Sequence, residues 1–308
     1  MTDSDDLTVI RARGLSRSFG RLTAVAALDL DVRRGEMFGL VGPDAAGKST
    51  AIRLLCGILK PTGGEARVLG FDLAREPERI KSRIGYLSQS FTLYGDLTVD
   101  ENIEFFAEIH GVRDFRARRD ELLAFTRLAP FRTRLADALS GGMKKKLALG
   151  CTLIHRPQLL FLDEPSTGVD PVSRGEFWNI LSDILADGVT VVMTTPYLDE
   201  AERCHRLGLM HHGRLLATGT PADIRQSLPG KLYRVEGVDR RAAYEALRNK
   251  WPSAQVVLYG DRLHFWAPKG AADCAEVLAW LSEMAAGAAD LVETEPSLED
   301  VFVARLGE

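Results

Sequence analysis

No stretch of this 308-residue sequence comes near the run of about 18 apolar residues that a membrane-spanning helix requires. Any role at a membrane must therefore be exercised through a partner. Cysteine is scarce: Cys56, Cys151, Cys204 and Cys274 stand far apart, and none belongs to a Cys-x-x-Cys pair. Reduced cytosolic thiols explain that spacing better than disulfides or a zinc site. Basic excess is missing too, and the formal net charge of −4 argues against general nucleic-acid binding. Met1 to Asp6 is acidic and polar, the reverse of a secretory signal, so a cytoplasmic protein is expected. Neither an internal repeat nor a low-complexity tract interrupts the chain. What is present is ordinary globular composition, 45% apolar and 27% charged, with length for one large domain and a small one.

Along the chain, Leu7 to Arg13 and Leu28 to Val32 alternate as short strands do, with Gly35 at a turn. Met37 to Val41 is an apolar run of buried-strand length that stops at Gly42-Pro43. A helical pattern begins at Lys48, with Ile52, Leu54, Leu55 and Ile58. From about residue 90 to 155 the apolar spacing turns to threes and fours, which predicts an inserted helical subdomain. Strand signals return at Leu159 to Leu162 and Val189 to Thr194, around a helix near Arg174 to Leu185. Strands alternating with helices imply an α/β fold with a parallel sheet covered on both faces. Leu228-Pro229-Gly230 marks a boundary, giving domains 1–228 and 229–308. The tail reads as a strand near Leu232 to Val238, a helix near Arg241 to Trp251 and two strands around Gly260-Asp261. A helix near Ala271 to Met284 and a strand near Ala289 to Thr294 follow, the βαββαβ order of a ferredoxin-like sandwich. Pro296 to Asp300 then has the pattern of a capped helix start.

Three segments carry chemistry. Gly42-Pro43-Asp44-Ala45-Ala46-Gly47-Lys48-Ser49-Thr50 fits G-x-x-x-x-G-K-[ST] between a strand and a helix. Exposed backbone N–H groups at the helix N-terminus would surround a β-phosphate, Lys48 would supply a mobile charge, and Ser49 a hydroxyl for Mg²⁺. A chance glycine turn is the competing reading, and the strand–loop–helix context weighs against it. Leu159 to Leu162 runs into Asp163-Glu164, where one carboxylate suits metal through water and the next can orient an attacking water. Alone, such an acidic pair is more often a solvated turn. Leu139-Ser140-Gly141-Gly142-Met143 forms a second helix N-terminus with bare donors, beside the plainer reading of an N-cap. Lys144, Lys145 and Lys146, which follow, read as a solvated face without a role.

In this order the three segments resemble the Walker A, signature and Walker B sequences of ATP-binding cassette (ABC) proteins, over Leu7 to about Leu228. The resemblance implies a P-loop NTPase cassette: a mostly parallel core sheet, an antiparallel β part and an inserted helical subdomain. It implies ATP and Mg²⁺ as ligands, with Glu164 catalytic and Ser49, Asp163 and Gln89 on the metal. Gln89 resembles the Q-loop glutamine, Ser166 to Asp170 the D-loop, and Phe19 the aromatic that stacks on adenine, with a core phenylalanine as the alternative. Family members pair head to tail, so Ser140, Gly141 and Gly142 are expected to close over the ATP of a second ABC ATPase, identical or different. Tyr197 to Cys204 and Pro296 to Phe302 are similar to ABC-2-type drug-export ATPases. Asp44, Met143 and the run Leu139 to Leu147 are similar to the N-terminal half of a tandem multidrug-exporter ATPase. Integral membrane permease subunits of ABC-2 type are then the implied partners, and the chain would lie on the inner face of the membrane.

Three positions depart from the family pattern. Pro196 stands where relatives have the switch histidine, and proline brings no side-chain donor and no N–H. Asp44 replaces an asparagine; facing phosphate at about 6 Å it would repel by about 3 kcal/mol at an effective dielectric near 20. Ala45 replaces a glycine, which costs ~1 kcal/mol if the position requires positive φ. Asymmetry follows as an expectation, with the chain's own Walker site attenuated and its signature intact. A clamp that mainly binds ATP and a soluble cassette outside transport are the other readings.

Overall fold

The structure is a computed structural model that describes residues 7–90, 93–260, 262–267, 274–284 and 289–306. Contacts divide the chain after Thr218 into two compact units. The division falls ahead of the Leu228 boundary read from sequence, and the Pro221–Gln226 helix lies in the second unit beside the Leu298–Leu306 helix.

The first unit is built on a six-stranded sheet. Its order is Arg214–Gly219, Arg206–His211, Met37–Val41, Thr190–Thr195, Leu159–Asp163 and Ile84–Leu87. Met37–Val41 runs parallel to both its neighbours, and Leu159–Asp163 to both of its own. Alternate residues of one strand enter different cores: Leu160 and Leu162 pack with the helical insert, Leu159 and Phe161 with the opposite face. A sheet buried on both sides explains why these strands read as unbroken apolar runs. Parallel direction also brings the C-terminal ends of four strands to one edge. Gly42, Gln89, Glu164 and Pro196 all follow those ends, where α/β sheets bind ligands.

Against this lies a four-stranded sheet of Leu22–Arg33, Thr8–Phe19, Gly63–Val68 and Phe71–Asp72. The first two strands have 12 residues each, far longer than the Leu7 to Arg13 and Leu28 to Val32 segments read from sequence. Register shifts between Ala12 and Leu15 and between Leu15 and Arg17 break the two-residue period, so the pattern fades while the pairing continues. The short Gly63–Val68 and Phe71–Asp72 strands went unread for want of an apolar alternation. The insert is helical as expected, with helices Val99–Ile109, Phe115–Phe125 and Gly141–Leu153. Thr98 and Glu101 form a capping box at the first of these.

The second unit pairs Lys231–Glu236 with Arg262–Ala267 and Asp290–Thr294, and Gln255–Tyr259 with Arg262–Ala267, all antiparallel. With helices Arg240–Lys250 and Cys274–Met284 this is the ferredoxin-like order. Ala243, Leu247, Val277 and Leu281 of the helices share one core with Val235, Leu263 and Phe265 of the sheet. Asp261 and the Ala271 start read for the second helix lie outside the described residues. Ser297 and Asp300 cap the last helix reciprocally, Ser297 N to Asp300 Oδ2 at 2.9 Å and Asp300 N to Ser297 Oγ at 3.1 Å.

Candidate nucleotide site

Gly47 ends the loop at φ +101°, a value that L side chains rarely adopt, and caps the Lys48–Leu55 helix. A Cβ there would stand 2.3 Å from the Ala24 carbonyl oxygen, so the glycine serves shape as well as torsion. Ala45 has φ +62°, which meets the condition under which alanine is strained. Ala45→Gly is therefore expected to stabilise the fold by about 0.5–1 kcal/mol in chemical denaturation, the relieved strain of about 1–2 kcal/mol exceeding glycine's added freedom when unfolded. Asp44 is exposed at the rim of the cavity, and its carboxylate takes no hydrogen bond from the described residues. It does not brace the loop.

Lys48 is 3% exposed and its ammonium donates to the carbonyls of Gly42 (2.8 Å) and Pro43 (3.0 Å). The same nitrogen lies 3.5 Å from Glu164 Oε1. Beside it, the Ser49 hydroxyl and the Thr194 hydroxyl both donate to Asp163 Oδ1, at 2.8 and 2.7 Å. Asp163 is fully buried, and its other oxygen faces Tyr86 Oη at 3.5 Å and the Arg53 guanidinium at 4.0 Å. Glu164 turns out of the strand at φ +50°, held by its N–H donating to Thr194 Oγ1 at 3.0 Å. A left-handed non-glycine residue costs about 1–3 kcal/mol and aims the carboxylate back over the loop. Gln89 Nε2 donates to Glu164 Oε2 at 2.9 Å. A cavity of about 550 Å³ spans Phe19, the loop, Gln89, Glu164 and His212. Phe19 is no core residue: it is 44% exposed, with the Arg17 guanidinium 4.5 Å from its ring centre on one face.

The Ser140 segment stands apart from this cavity. Ser140 caps the Gly141–Leu153 helix, its hydroxyl accepting from Met143 N. Around Gly141 there is open space, whereas a Cβ on Gly142 would meet Ser173 Oγ at 2.4 Å. Asp170 caps the Pro171–Ala186 helix, accepting from Val172 N and Ser173 N. Those amides hold its carboxyl below the usual range. The lysine run is not a uniform solvated face. Successive residues turn by about 100° on a helix, so only part of any run faces water. Lys146 is buried against Glu176 at 2.8 Å. Lys145 donates to the Gln89 carbonyl at 3.3 Å, and burial pulls its pKa down against the opposing pull of Asp163 and Glu164.

Residues 25–167 match the family described as ABC transporter. A daunorubicin resistance ATP-binding protein, DrrA3 of Streptomyces coeruleorubidus, is 36% identical over 98% of this chain and 96% of its own. A solved structure of the ATP-binding subunit of an ABC transporter is 31% identical and superimposes with a TM-score of 0.65, covering 71% of this chain and 92% of the other. The chain belongs to the ATP-binding cassette family. A probable multidrug ABC transporter ATP-binding protein, YbhF of Escherichia coli, is 44% identical over 71% of this cassette protein, which spans only 38% of YbhF's length.

The departures from the family pattern can be placed on this cassette. Pro196 follows Thr195 at the sheet edge, and the next N–H, of Tyr197, is already donated to Thr195 Oγ1 at 3.0 Å. His205 is no substitute, since its Nδ1 accepts from Met37 N at 3.0 Å. His212 lies on the nucleotide cavity and was not foreseen, because a hairpin turn gives no signal of what it faces. Thr194 and Tyr86 were likewise missed; threonine at a strand end reads as β-propensity alone. For a magnesium ion, Ser49 and Asp163 present hard oxygen donors at hydrogen-bond distance, which fits. No cluster of three or more acidic, histidine or cysteine side chains suited to a metal occurs among the described residues.

Proposed function

We infer that this ABC ATPase hydrolyses MgATP to energise an ABC-2-type membrane exporter, working as one half of a head-to-tail pair of cassettes. The observation that carries the site reading is the meeting of Ser49 and Asp163 at 2.8 Å beside a buried Lys48–Glu164 pair. ATP phosphates would be cradled by the N–H groups of the Gly42 to Thr50 loop, with Lys48 leaving its carbonyl partners for the β- and γ-oxygens. Phe19 offers its free face to the adenine. Ser49 and Asp163 would hold Mg²⁺, with Gln89 beside them, and the ion supplies charge neutralisation on the phosphates. Glu164 would then accept the proton of the attacking water.

Pairing is supported by the separation of the two loops, since Ser140 to Gly142 do not border the cavity of the Walker loop. A second cassette, identical or different, would bring its own signature there. No helix among the described residues is long and apolar enough to cross a membrane. The path through the membrane would be supplied by ABC-2-type permease subunits. DrrA3 is named for daunorubicin resistance and YbhF as a probable multidrug transporter component, which favours an export role, and the chain would sit peripherally on the cytoplasmic face. Nucleic acid is not expected as a partner.

The test is Lys48→Ala in the assembled complex. Losing one charge-assisted contact set of about 2 kcal/mol should weaken ATP retention about 30-fold and stop substrate-coupled turnover. Retention and turnover equal to the parent would remove both the site and the transport reading.

A second reading, a pair in which this chain's own site mainly binds, is favoured by Pro196. Restoring the missing donor with Pro196→His should raise turnover of the isolated chain at least tenfold if that donor limits it, by general-acid–base magnitudes of roughly 10²–10⁴. Unchanged turnover would show that the switch position is not limiting.

A further inference from the structure

Glu200 lies four positions beyond Pro196 on the short Leu198–Ala201 helix and is 1% exposed. Its Oε1 accepts from the Ser166 hydroxyl at 2.5 Å and its Oε2 from the Thr195 hydroxyl at 2.7 Å. Ser166 and Thr195 are themselves 5% and 0% exposed. Among the described residues no ion pair reaches Glu200, and two neutral hydroxyls are the partners of a carboxylate withdrawn from water. Such a group costs several kcal/mol to bury, and a four-residue helix gains nothing from it that an apolar side chain would not supply.

Its partners belong to the two segments that bracket the catalytic carboxylate. Thr195 ends the strand whose preceding residue, Thr194, holds the Glu164 backbone N–H at 3.0 Å. Ser166 begins the loop that leaves Glu164. The next residue, Thr167, donates its N–H to the Glu164 carbonyl at 3.3 Å and its hydroxyl to Glu164 Oε2 at 3.4 Å. Three residues after Thr167, Asp170 caps the helix whose Ser173 abuts Gly142 of the signature. Glu200 thus ties the strand behind Glu164 to the loop in front of it.

We propose that Glu200 is a positioning residue: it clamps the Ser166–Asp170 loop to the end of the Thr190–Thr195 strand and thereby sets the direction of the Glu164 carboxylate. The proline that follows Thr195 offers no donor to a γ-phosphate, so in this chain the strand end is fixed by the clamp and not by the nucleotide. This inference rests on the reading of Glu164 as the group that activates water.

The experiment measures steady-state MgATP turnover and thermal midpoint for the full chain with Ser166→Ala, Glu200→Ala, Glu200→Gln and the Ser166→Ala/Glu200→Ala double variant. Ser166→Ala removes one hydroxyl, and the fold is expected to survive it. Expected are a fall in kcat of about tenfold for Ser166→Ala and Glu200→Ala with KM for ATP within twofold, and a double variant no slower than the worse single one. Glu200→Gln, which can still bridge both hydroxyls, should recover most of kcat. A clamp that is merely structural would lower the midpoint of Glu200→Ala and leave kcat of Ser166→Ala within twofold; that result overturns the proposal. Effects that multiply in the double variant overturn it too. If Glu164→Gln retains full turnover, the underlying reading of the base fails instead, and the two failures are told apart.

Discussion

Glu164→Gln is expected to reduce ATP turnover by about 10²–10⁴-fold while nucleotide binding holds or tightens. The amide keeps the size of the side chain and can still accept from Gln89, so the loop and its left-handed turn should persist. It cannot take a proton from water. Lys48 meanwhile loses a competing anion 3.5 Å away and is freer to reach phosphate. Filter binding and steady-state hydrolysis on the same preparation separate the two effects. Equal loss of binding and turnover would place Glu164 in nucleotide affinity and leave the proton acceptor unassigned.

Gly47→Ala should be nearly as damaging by a different route. Its φ of +101° lies outside the comfortable range of an L-residue, at about 1–2 kcal/mol. The new methyl would also press to 2.3 Å on a backbone oxygen, Ala24 O, which has no rotamer to move. Displacing that strand adds about 1–3 kcal/mol, as overpacking generally does. A combined penalty of roughly 3 kcal/mol corresponds to more than a hundredfold loss of ATP affinity by calorimetry if it falls on the loop. If it falls on the fold as a whole, it appears as a lowered unfolding midpoint. A variant that binds ATP like the parent and unfolds at the same temperature would contradict both the torsion and the contact. Ala45 supplies the control two residues earlier, where the reverse substitution relieves strain.

The cassette core was readable because parallel strands with two buried faces leave unmistakable apolar runs, and because the loop after Val41 and the acids after Leu162 have fixed spacing. Lys48, Ser49, Asp163, Glu164 and Gln89 do converge, on one sheet edge. The long antiparallel pair was truncated in the reading because bulges at Ala12 to Arg17 shift the alternation that identifies a strand. Lys145 and Lys146 were misjudged because charge in a run says nothing of which helix face points inward. Thr194 carries no local signature, and its importance arises from pairing across the sheet, opposite Asp163 in register. Glu200 falls in the Tyr197 to Cys204 segment, but its contacts with Ser166 and Thr195 are visible only in the tertiary structure.

The ammonium of Lys48 and the carboxylate of Glu164 face one another at 3.5 Å inside the protein. On the function proposed above, a triphosphate would have to win the cation from that internal anion, and in doing so it would unmask the proton acceptor. Substrate arrival and arming of the base would then be a single event, an interlock against idle attack by water.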